Sequence, residues 1–432
     1  MRAFLKKQAP GRIIALGFAA VILVGSLLLI LPCSVRPGVQ LSYVDSLYTS
    51  TSAVCVTGLL AVDAGDTFTP LGQFFLALLI QVGGLGVTAV GTGVILAMGK
   101  RIDFKGRTLL REAMNLDTGK GIIRFLKWIL GTTLVFELAG AALSLIVFAR
   151  AYPLPKAVGV SLFHSVAAFN NSGFDILGGM RNLIPYQGDV LLNLTTCGLI
   201  FFGGIGFLVI RELWETRLRW KKLSMHAKVV LSVSGLLILV GTLLLKATEN
   251  VTWLGALFQS VSARTAGFST YALGSFTDAG LLVLVALMFI GASPGSTGGG
   301  IKTSTLYVLA QGVRKAATNR DSRMFRYSIP QGAFHKAAVI TLLAAAVVAG
   351  GSYLMALLEP QLALRDILFE MTSAFGTVGL STGITPGLRP ASKLLSILVM
   401  YIGRLGPLTV ASLWYFNGQE RARYPEGNIS IG

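Results

Sequence analysis

A short glycine-containing motif occurs four times in this chain, and each copy is followed by a long apolar segment. The most complete copy is Thr377-Val378-Gly379-Leu380. The other copies are Val56-Thr57-Gly58-Leu59, Asn171-Ser172-Gly173-Phe174 and Thr265-Ala266-Gly267-Phe268. An aromatic residue precedes each glycine by nine or ten positions: Tyr48, Phe163, Phe258 and Phe369. Because motif and flanks recur together, the sequence predicts four copies of one structural unit.

The composition places these copies in a membrane. Of the 432 residues, 53% are hydrophobic and 13% are charged, and the mean hydropathy is +0.70. This balance is typical of a protein with several transmembrane helices. The 51 glycines suit close helix packing and irregular loops at membrane depth. Three cysteines in apolar surroundings (Cys33, Cys55 and Cys197) predict neither a disulfide framework nor a metal site.

The net charge of +18 raises the question of a nucleic-acid partner. Sorting the 37 Lys and Arg residues by the predicted spans answers it, because 26 of them fall on the side that holds both termini. Nine fall on the opposite side, and Lys302 and Arg404 fall within the membrane. This excess is the positive-inside pattern of membrane proteins. We therefore predict cytoplasmic N- and C-termini and no nucleic acid as a partner.

Eight apolar segments fit transmembrane spans. The first, residues 10–31, is longer than a signal-peptide core and has no small-x-small cleavage site after it, so we predict a retained span. The other spans are predicted near 71–99, 122–149, 188–213, 226–246, 279–310, 333–357 and 391–416. A short segment before each glycine motif predicts a re-entrant helix; the four are Val44–Val54, Ser161–Phe169, Leu254–Ala263 and Asp366–Phe375.

The predicted fold is an all-α membrane protein with eight transmembrane helices in four span, re-entrant P-loop, span repeats around a pseudo-fourfold pore. Non-helical backbone at membrane depth must be buried in protein or line a watery cavity, and a pore is the simplest such cavity. The repeats are predicted over residues 1–99, 100–213, 214–310 and 311–432. A glycine break is expected in each second span, at Gln81-Val82-Gly83-Gly84, Phe201-Phe202-Gly203-Gly204, Phe289-Ile290-Gly291-Ala292 and Tyr401-Ile402-Gly403-Arg404.

The four motifs have the chemistry of a cation filter. A dehydrated alkali cation needs oxygen ligands in place of water, and rings of backbone carbonyls supply them. Glycine permits the backbone conformations that such rings need. Re-entrant helices that direct their C-terminal ends at the pore centre would favour a cation there. We predict a K⁺ filter formed by Val56, Thr57, Gly58, Asn171, Ser172, Gly173, Thr265, Ala266, Gly267, Thr377, Val378 and Gly379.

A glycine-rich stretch interrupts the predicted span 279–310 near its middle. Its residues are Gly291, Ala292, Ser293, Pro294, Gly295, Ser296, Thr297, Gly298, Gly299 and Gly300. The sequence leaves two interpretations open, a packing kink or a flexible gating loop across the pore. Lys302 and Arg404 are costly at membrane depth, by ~3 kcal/mol or more without water or a partner. Lys302 either snorkels to the cytoplasmic surface or serves the gate, and Arg404 is expected to bond the loop carbonyls.

Two other classes of function match single features of the sequence. Gly291-Ala292-Ser293 resembles the serine setting of an intramembrane protease, but no histidine is predicted beside that serine, so we predict no enzyme. A sodium-permeable or proton-coupled cation carrier is the alternative, with Glu137 as the titrating group or, more simply, as a helix-packing residue. Asn170 and Arg264 have a structural alternative as well, since either side chain could tie a re-entrant helix to its neighbours.

The motifs together resemble the Trk/Ktr/HKT superfamily of potassium transporters, and most closely its KtrB-type membrane subunits. The resemblance covers nearly the whole chain and rests on the four motifs, on Phe163-His164-Ser165, and on Phe258-Gln259-Ser260 with Arg264. It implies potassium uptake, often aided by Na⁺, in the plasma membrane of a bacterium. It also implies a gating loop at 291–300, a homodimer, and a cytosolic ring of nucleotide-binding KtrA-type (RCK) subunits. Nucleotide is thus expected only on the partner.

The predicted cytoplasmic surface is basic and small. It consists of the segments 100–127, 211–228 and 311–336 and the tail Asn417–Gly432. No phosphate-binding glycine motif opens a helix in these segments. We expect this surface to bind the regulatory ring, anionic lipids, or both.

Overall fold

The computed structural model describes residues 10–98, 104–113, 121–318, 323–324 and 327–412. The described chain is almost entirely helical. Its two strands, Arg323–Met324 and Tyr327–Ser328, form one short antiparallel hairpin. The tail Asn417–Gly432 and much of the basic surface lie outside the described residues.

The helices form four groups, which we call units 1 to 4, and each unit has a first span, a re-entrant helix and a second span. The first spans are Pro10–Leu29, Ile122–Phe148, Met225–Thr248 and Gln331–Leu358. The re-entrant helices are Tyr43–Val54, Leu154–Phe169, Trp253–Ser262 and Leu364–Gly376. The second spans are Pro70–Leu85 continued by Val87–Ala97, Val190–Ile205 continued by Phe207–Thr216, Asp278–Phe289 followed by Thr303–Thr318, and Pro390–Leu405 continued by Pro407–Ser412.

Short elements complete the described structure. Helix Ala64–Thr67 lies between the re-entrant helix and the second span of unit 1, and helix Phe104–Ala113 lies between units 1 and 2 in the chain. Four single 3₁₀ turns are Ile184–Tyr186, Trp220–Lys222, Leu273–Ser275 and Thr385–Gly387. The predicted repeat boundaries at 213 and 310 fall inside helices Phe207–Thr216 and Thr303–Thr318, and the division into those four ranges stays a prediction.

Local sequence explains where many of these helices begin. Thr69 caps the second span of unit 1 by accepting the Gly72 N–H (3.2 Å), and Pro70 follows at the first helical position. Ser42 caps the first re-entrant helix by accepting the Asp45 N–H (3.1 Å). Such caps satisfy donors that have no partner inside the helix. The re-entrant helix of unit 2 begins at Leu154, seven residues before the predicted Ser161, because Pro153 and Pro155 set its first turn.

Four first spans are long and apolar enough to cross a membrane alone, and two bent pairs raise the number of such described spans to six. The bends are 101° between Pro70–Leu85 and Val87–Leu96, and 100° between Val190–Ile205 and Phe207–Thr216. The other two second spans are Asp278–Phe289 and Pro390–Leu405. They have 12 and 16 residues, fewer than the ~20 of a straight span. The chain is thus a multi-pass membrane protein with eight spans, four of them interrupted.

The position of the glycine breaks differs from the prediction. Gly83, Gly203 and Gly403 lie inside helices, and the chain leaves the helix three residues later, at Gly86, Gly206 and Gly406. These three breaks share one conformation, with φ of 89°, 93° and 88°. The earlier glycines serve packing instead, because a Cβ there would strike the carbonyl oxygen of Val54, Phe169 or Phe375. Only in unit 3 does the break fall where predicted, directly after Phe289.

Candidate functional site

The four motif glycines form a closed ring. A Cβ built on Gly58 would lie 3.1 Å from the Cα of Gly173. The corresponding Cβ–Cα distances are 2.9 to 3.0 Å from Gly173 to Gly267, from Gly267 to Gly379 and from Gly379 back to Gly58. The order around the ring is therefore the order along the chain. The structure brings all four predicted motifs together at one place.

Carbonyl oxygens fill the space that side chains on these glycines would need. The nearest atoms to the four built Cβ positions are the backbone oxygens of Ser172, Ala266, Val378 and Thr57, each closer than a normal contact. Each of these oxygens belongs to the residue just before the neighbouring glycine. The ring thus has four backbone carbonyl oxygens at one level, and any side chain at a ring glycine would displace one of them.

The backbone of each motif has the same unusual conformation. Val56, Asn171, Thr265 and Thr377 all have positive φ, between 49° and 75°. The ring glycine two residues later has positive φ as well, from 68° to 97°. A positive φ is strained for β-branched residues such as valine and threonine, at a cost of ~1–3 kcal/mol each. Three of the four motifs carry this strain, which is a feature of functional backbone.

Serine side chains support the ring, and the sequence analysis missed them. Ser52 Oγ accepts the Gly58 N–H and Ser373 Oγ accepts the Gly379 N–H, both at 3.0 Å. Ser262 Oγ donates to the Phe268 carbonyl at 2.5 Å. The available signal was a serine six positions before the glycine in copies 1 and 4. In units 1, 3 and 4, these hydrogen bonds connect the re-entrant helix to the motif that follows it.

All four re-entrant helices end at the ring. Their last residues, Val54, Phe169, Ser262 and Gly376, precede the ring glycines by three to five positions. A helix C-terminus carries a partial negative charge, roughly half an elementary charge. Four such ends around one centre favour a cation there.

A cavity of about 430 Å³ lies on one side of the ring, and we call it the mouth cavity. Residues after the motif in all four units line it, including Leu60, Asp175, Ser269 and Thr382. Asp175 and Arg181 are the charged residues among the described lining. Burial raises the pKa of Asp175 to about 7; the Leu177 N–H (3.0 Å) opposes the shift, and the nearby carboxylates of Asp63 and Asp66 add to it.

The predicted gating loop occupies the other side of the ring. Gly299 N–H donates to Thr377 Oγ1 at 3.0 Å, and a Cβ on Gly298 would strike Thr265 Oγ1. Thr265 and Thr377 stand two residues before their ring glycines. The loop therefore lies directly beneath the motifs of units 3 and 4, opposite the mouth cavity.

The break in unit 2 holds the same loop. The helix that ends at Ile205 leaves its last carbonyls without helical partners, and the loop supplies donors to two of them. Ser293 N–H donates to the Gly204 carbonyl (2.9 Å), and Thr297 donates to the Gly203 carbonyl through N–H (3.2 Å) and Oγ1 (3.1 Å). In return, Phe207 N–H donates to the Gly295 carbonyl at 3.0 Å.

Lys302 and Arg404, two of the cations at membrane depth, bind backbone carbonyls. Arg404 donates to the carbonyl oxygens of Thr297, in the loop, and of Gly83, in unit 1, with a further bond to Gly84 at 3.2 Å. Lys302 Nζ donates to the carbonyls of Gly298 (2.7 Å) and Gly299 (3.3 Å). Arg404 thus joins units 4 and 1 to the loop, whereas Lys302 stabilises the loop from within.

The other residues singled out in the sequence have packing partners. Asn170 Nδ2 donates to Gln81 Oε1 (2.8 Å) and to Glu137 Oε1 (3.1 Å), which ties unit 2 to unit 1. Arg264 reaches the carbonyls of Ser234 and Gly291, both at 3.4 Å. Ser293 Oγ pairs with Thr303 Oγ1 at 2.9 Å rather than with a histidine.

Comparison with known proteins finds cation transporters among those similar to this chain. Residues 18–254 and 229–415 match the TrkH family, described as "Cation transport protein". The chain is 36% identical to the "Ktr system potassium uptake protein B" of Bacillus subtilis, over 98% of this chain and 97% of that protein. It is also 36% identical to the "Potassium/sodium uptake protein NtpJ" of Enterococcus hirae, over 99% of this chain and 98% of that protein.

A solved structure shares the fold. The crystal structure of the potassium transporter TrkH from Vibrio parahaemolyticus superposes with a TM-score of 0.75 at 19% identity, covering 95% of this chain and 86% of that one. The predicted resemblance and the predicted eight-span, four-repeat architecture are confirmed. This chain belongs to the TrkH family of cation transport proteins.

Proposed function

We propose that this protein takes up potassium through the ring of four glycines, as the translocating subunit of a Ktr-type system. The observation that carries the proposal is the closed ring of carbonyl oxygens from Thr57, Ser172, Ala266 and Val378 around one centre. Such a ring replaces the hydration shell of a dehydrated alkali cation. The twelve motif residues named above form the filter in this proposal, and K⁺ is the transported ion.

Sodium enters the proposal as a co-ion. One relative is named a potassium/sodium uptake protein, so we propose sodium-dependent potassium uptake. The alternative is a sodium-permeable or proton-coupled cation carrier of the same superfamily. Glu137 accepts a hydrogen bond from Asn170 Nδ2, and this bond favours a packing role for that carboxyl over a proton-carrying one.

The loop 291–300 is the gate in this proposal. Its contacts to Thr377, to the break at Gly206 and to Arg404 hold it beneath the ring, where it would block the path of an ion. Opening requires that these hydrogen bonds break together. Lys302 and Arg404 are therefore gate residues that stabilise the closed position.

The proposed setting is the plasma membrane of a bacterium, with both termini in the cytoplasm. The charge asymmetry of the sequence supports this orientation. The mouth cavity then faces outward and the gating loop inward. A potassium ion would meet the cavity first, the ring second and the gate last.

Growth rescue tests the proposed function. We expect the protein to restore growth of potassium-uptake-deficient bacteria at low potassium, together with a KtrA-type subunit, and sodium to increase the rescue. The control is the same strain with Gly379→Arg, which fills the ring. If the wild-type chain supports growth neither with nor without sodium, potassium uptake is rejected as its function.

A regulatory partner is the second part of the proposal. We propose a homodimer that binds a cytosolic ring of KtrA-type (RCK) subunits, which alone carry nucleotide, while anionic lipids neutralise the remaining basic surface. The name of the Bacillus subtilis relative as a Ktr system protein supports a multi-subunit system. The contact is proposed near helix Thr303–Thr318, because that helix continues directly from the gating loop.

We expect a purified KtrA-type subunit to bind this protein and to make its flux depend on nucleotide. The physical reason is that a partner holding Thr303–Thr318 pulls on the loop beneath the ring. Flux into liposomes is measured with ATP and with ADP on the ring, with anionic lipid held constant. Identical flux in both nucleotides, or no binding, would leave lipid as the only ligand of the basic surface.

Asp175 should make uptake depend on external pH. Its carboxyl is neutral below its pKa of about 7 and ionised above it, so the mouth cavity gains a negative charge as the pH rises. A carboxylate and a monovalent cation about 4 Å apart in water attract each other by about 1 kcal/mol, which corresponds to roughly a fivefold change in local cation concentration. We expect the apparent affinity for potassium to increase from about pH 6 to about pH 8, and Asp175→Asn to lose this increase.

The matched control is Asp278→Asn, since Asp278 is an exposed aspartate outside the mouth cavity. It should keep the pH dependence. An unchanged pH profile in Asp175→Asn would show that Asp175 does not act on the entering ion.

A further inference from the structure

Four joints close the ring of units. At each joint the second span of one unit packs against the re-entrant helix of the next. Three joints connect units that follow one another in the chain. The fourth joins Pro390–Leu405 of unit 4 to Tyr43–Val54 of unit 1, at opposite ends of the sequence.

The fourth joint contains a shielded ion pair. Lys393 Nζ lies 2.6 Å from Asp45 Oδ1, and the two side chains are 9% and 20% exposed. The second carboxylate oxygen of Asp45 accepts the hydroxyl of Ser42 at 2.7 Å. One helical turn further in, the Tyr48 hydroxyl meets Ser396 Oγ at 3.1 Å, fully buried. The two contacts place the same faces of the two helices against each other.

The position of Lys393 within its own helix does not explain why a lysine is found there. It is the fourth residue of Pro390–Leu405, and a positive charge is unfavourable near a helix N-terminus. A lysine is also costly in a membrane helix unless it finds a partner. Asp45, by contrast, suits the first turn of its helix. The lysine is therefore accounted for by its partner across the joint.

Other joints have different polar contacts. Units 1 and 2 are joined by the neutral pair Gln81 and Asn170 (2.8 Å). Units 3 and 4 share Arg365 and Asp278, which are 50% and 78% exposed and are weakly coupled for that reason. Among the described joints, the shielded ion pair belongs to the one that closes the ring.

We propose that Asp45 and Lys393, with Tyr48 and Ser396, form a ring-closing clamp that sets the discrimination between potassium and sodium. The re-entrant helix of unit 1 is a rigid rod of about 18 Å, with Asp45 in its first turn and Gly58 four residues beyond its end. A shift at Asp45 moves Gly58 against Gly379 and changes the size of the carbonyl ring. The four residues are positioning residues, and the clamp rests on the proposed potassium function.

A double-mutant cycle tests the clamp. Asp45→Asn, Lys393→Met and the double variant are reconstituted in liposomes, and the ratio of potassium to sodium uptake is measured with the melting temperature of each protein. We expect each single change to lower the ratio at least threefold, and the double change to lower it less than the two single effects combined. Lys393→Arg should keep the ratio, because it keeps the pair.

Two milder variants test the clamp without removing a charge, so that misfolding does not account for the result. Tyr48→Phe and Ser396→Ala remove only a hydroxyl contact, and each should lower the ratio by a smaller factor in a folded protein. The control cycle uses Asp278→Asn and Arg365→Gln, which should leave the ratio unchanged. A lower melting temperature with an unchanged ratio, or additive effects in the Asp45 and Lys393 cycle, would overturn the clamp.

The outcomes separate the clamp from the function on which it rests. If the wild-type protein shows no preference for potassium, the proposed function fails and the clamp fails with it. If the wild-type protein is selective and the cycle leaves its ratio unchanged, only the clamp is overturned.

Discussion

Replacing Gly58 by serine should remove most of the preference for potassium over sodium, by at least about tenfold, in a protein that still folds. The added Cβ would collide with the Ser172 carbonyl oxygen, and the φ of +91° is strained for any other residue. The strain costs ~1–3 kcal/mol, which a folded membrane protein tolerates. The displaced oxygen, by contrast, changes one quarter of the site. Relative uptake of the two ions by the purified variant in liposomes measures the effect.

Gly38→Ser is the matched control. Gly38 has a similar φ of +84°, but a Cβ there meets nothing within 4 Å. The control therefore adds the same backbone strain without touching the ring, and it should keep the wild-type ion preference. Equal preference in Gly58→Ser and in the wild-type protein would show that the ring does not select the ion.

Removing Pro294–Thr297 from the gating loop should raise potassium flux at least about fivefold. The deletion eliminates the bonds from Thr297 to Gly203 and from Arg404 to Thr297, which hold the loop beneath the ring. Loss of closed-state contacts worth ~1–3 kcal/mol shifts a two-state gate by about 5- to 150-fold. Flux through the purified protein without its partner, measured as rubidium uptake, is the readout.

Arg404→Ala and Lys302→Ala should act in the same direction but less strongly, because each removes part of the network. Arg150→Ala is the control for loss of a positive charge, since Arg150 is 69% exposed and far along the chain from the loop. It should leave flux unchanged. A folded loop variant with equal or lower flux would mean that the loop is not a gate.

The architecture was predictable because it follows from local sequence patterns that repeat four times. The motifs around Gly58, Gly173, Gly267 and Gly379 recur with their flanking aromatics, and a fourfold site follows from four copies in one chain. The ends of the re-entrant helices were predictable for the same reason. The family resemblance also rested on these residues.

Arg404 was expected to bond the loop carbonyls and does so, but other features that depend on contact between units were not predictable. The glycine pair Gly83-Gly84 has the appearance of a helix break, yet Gly83 lets Val54 approach and Gly84 lets Asn170 approach. Only the packed structure separates these roles from that of Gly86, where the helix ends. Lys393 and Asp45 are 348 positions apart. No local pattern connects them, since a single sequence carries no record of which helices meet.

The most direct test of the account is the position of a bound ion. Thallium or rubidium is soaked into crystals of the protein, and its anomalous scattering is mapped. The account predicts one dominant peak at the centre of the ring of Gly58, Gly173, Gly267 and Gly379, which excess sodium fails to displace. A ring without a peak, with the ion bound elsewhere in the membrane, would contradict it.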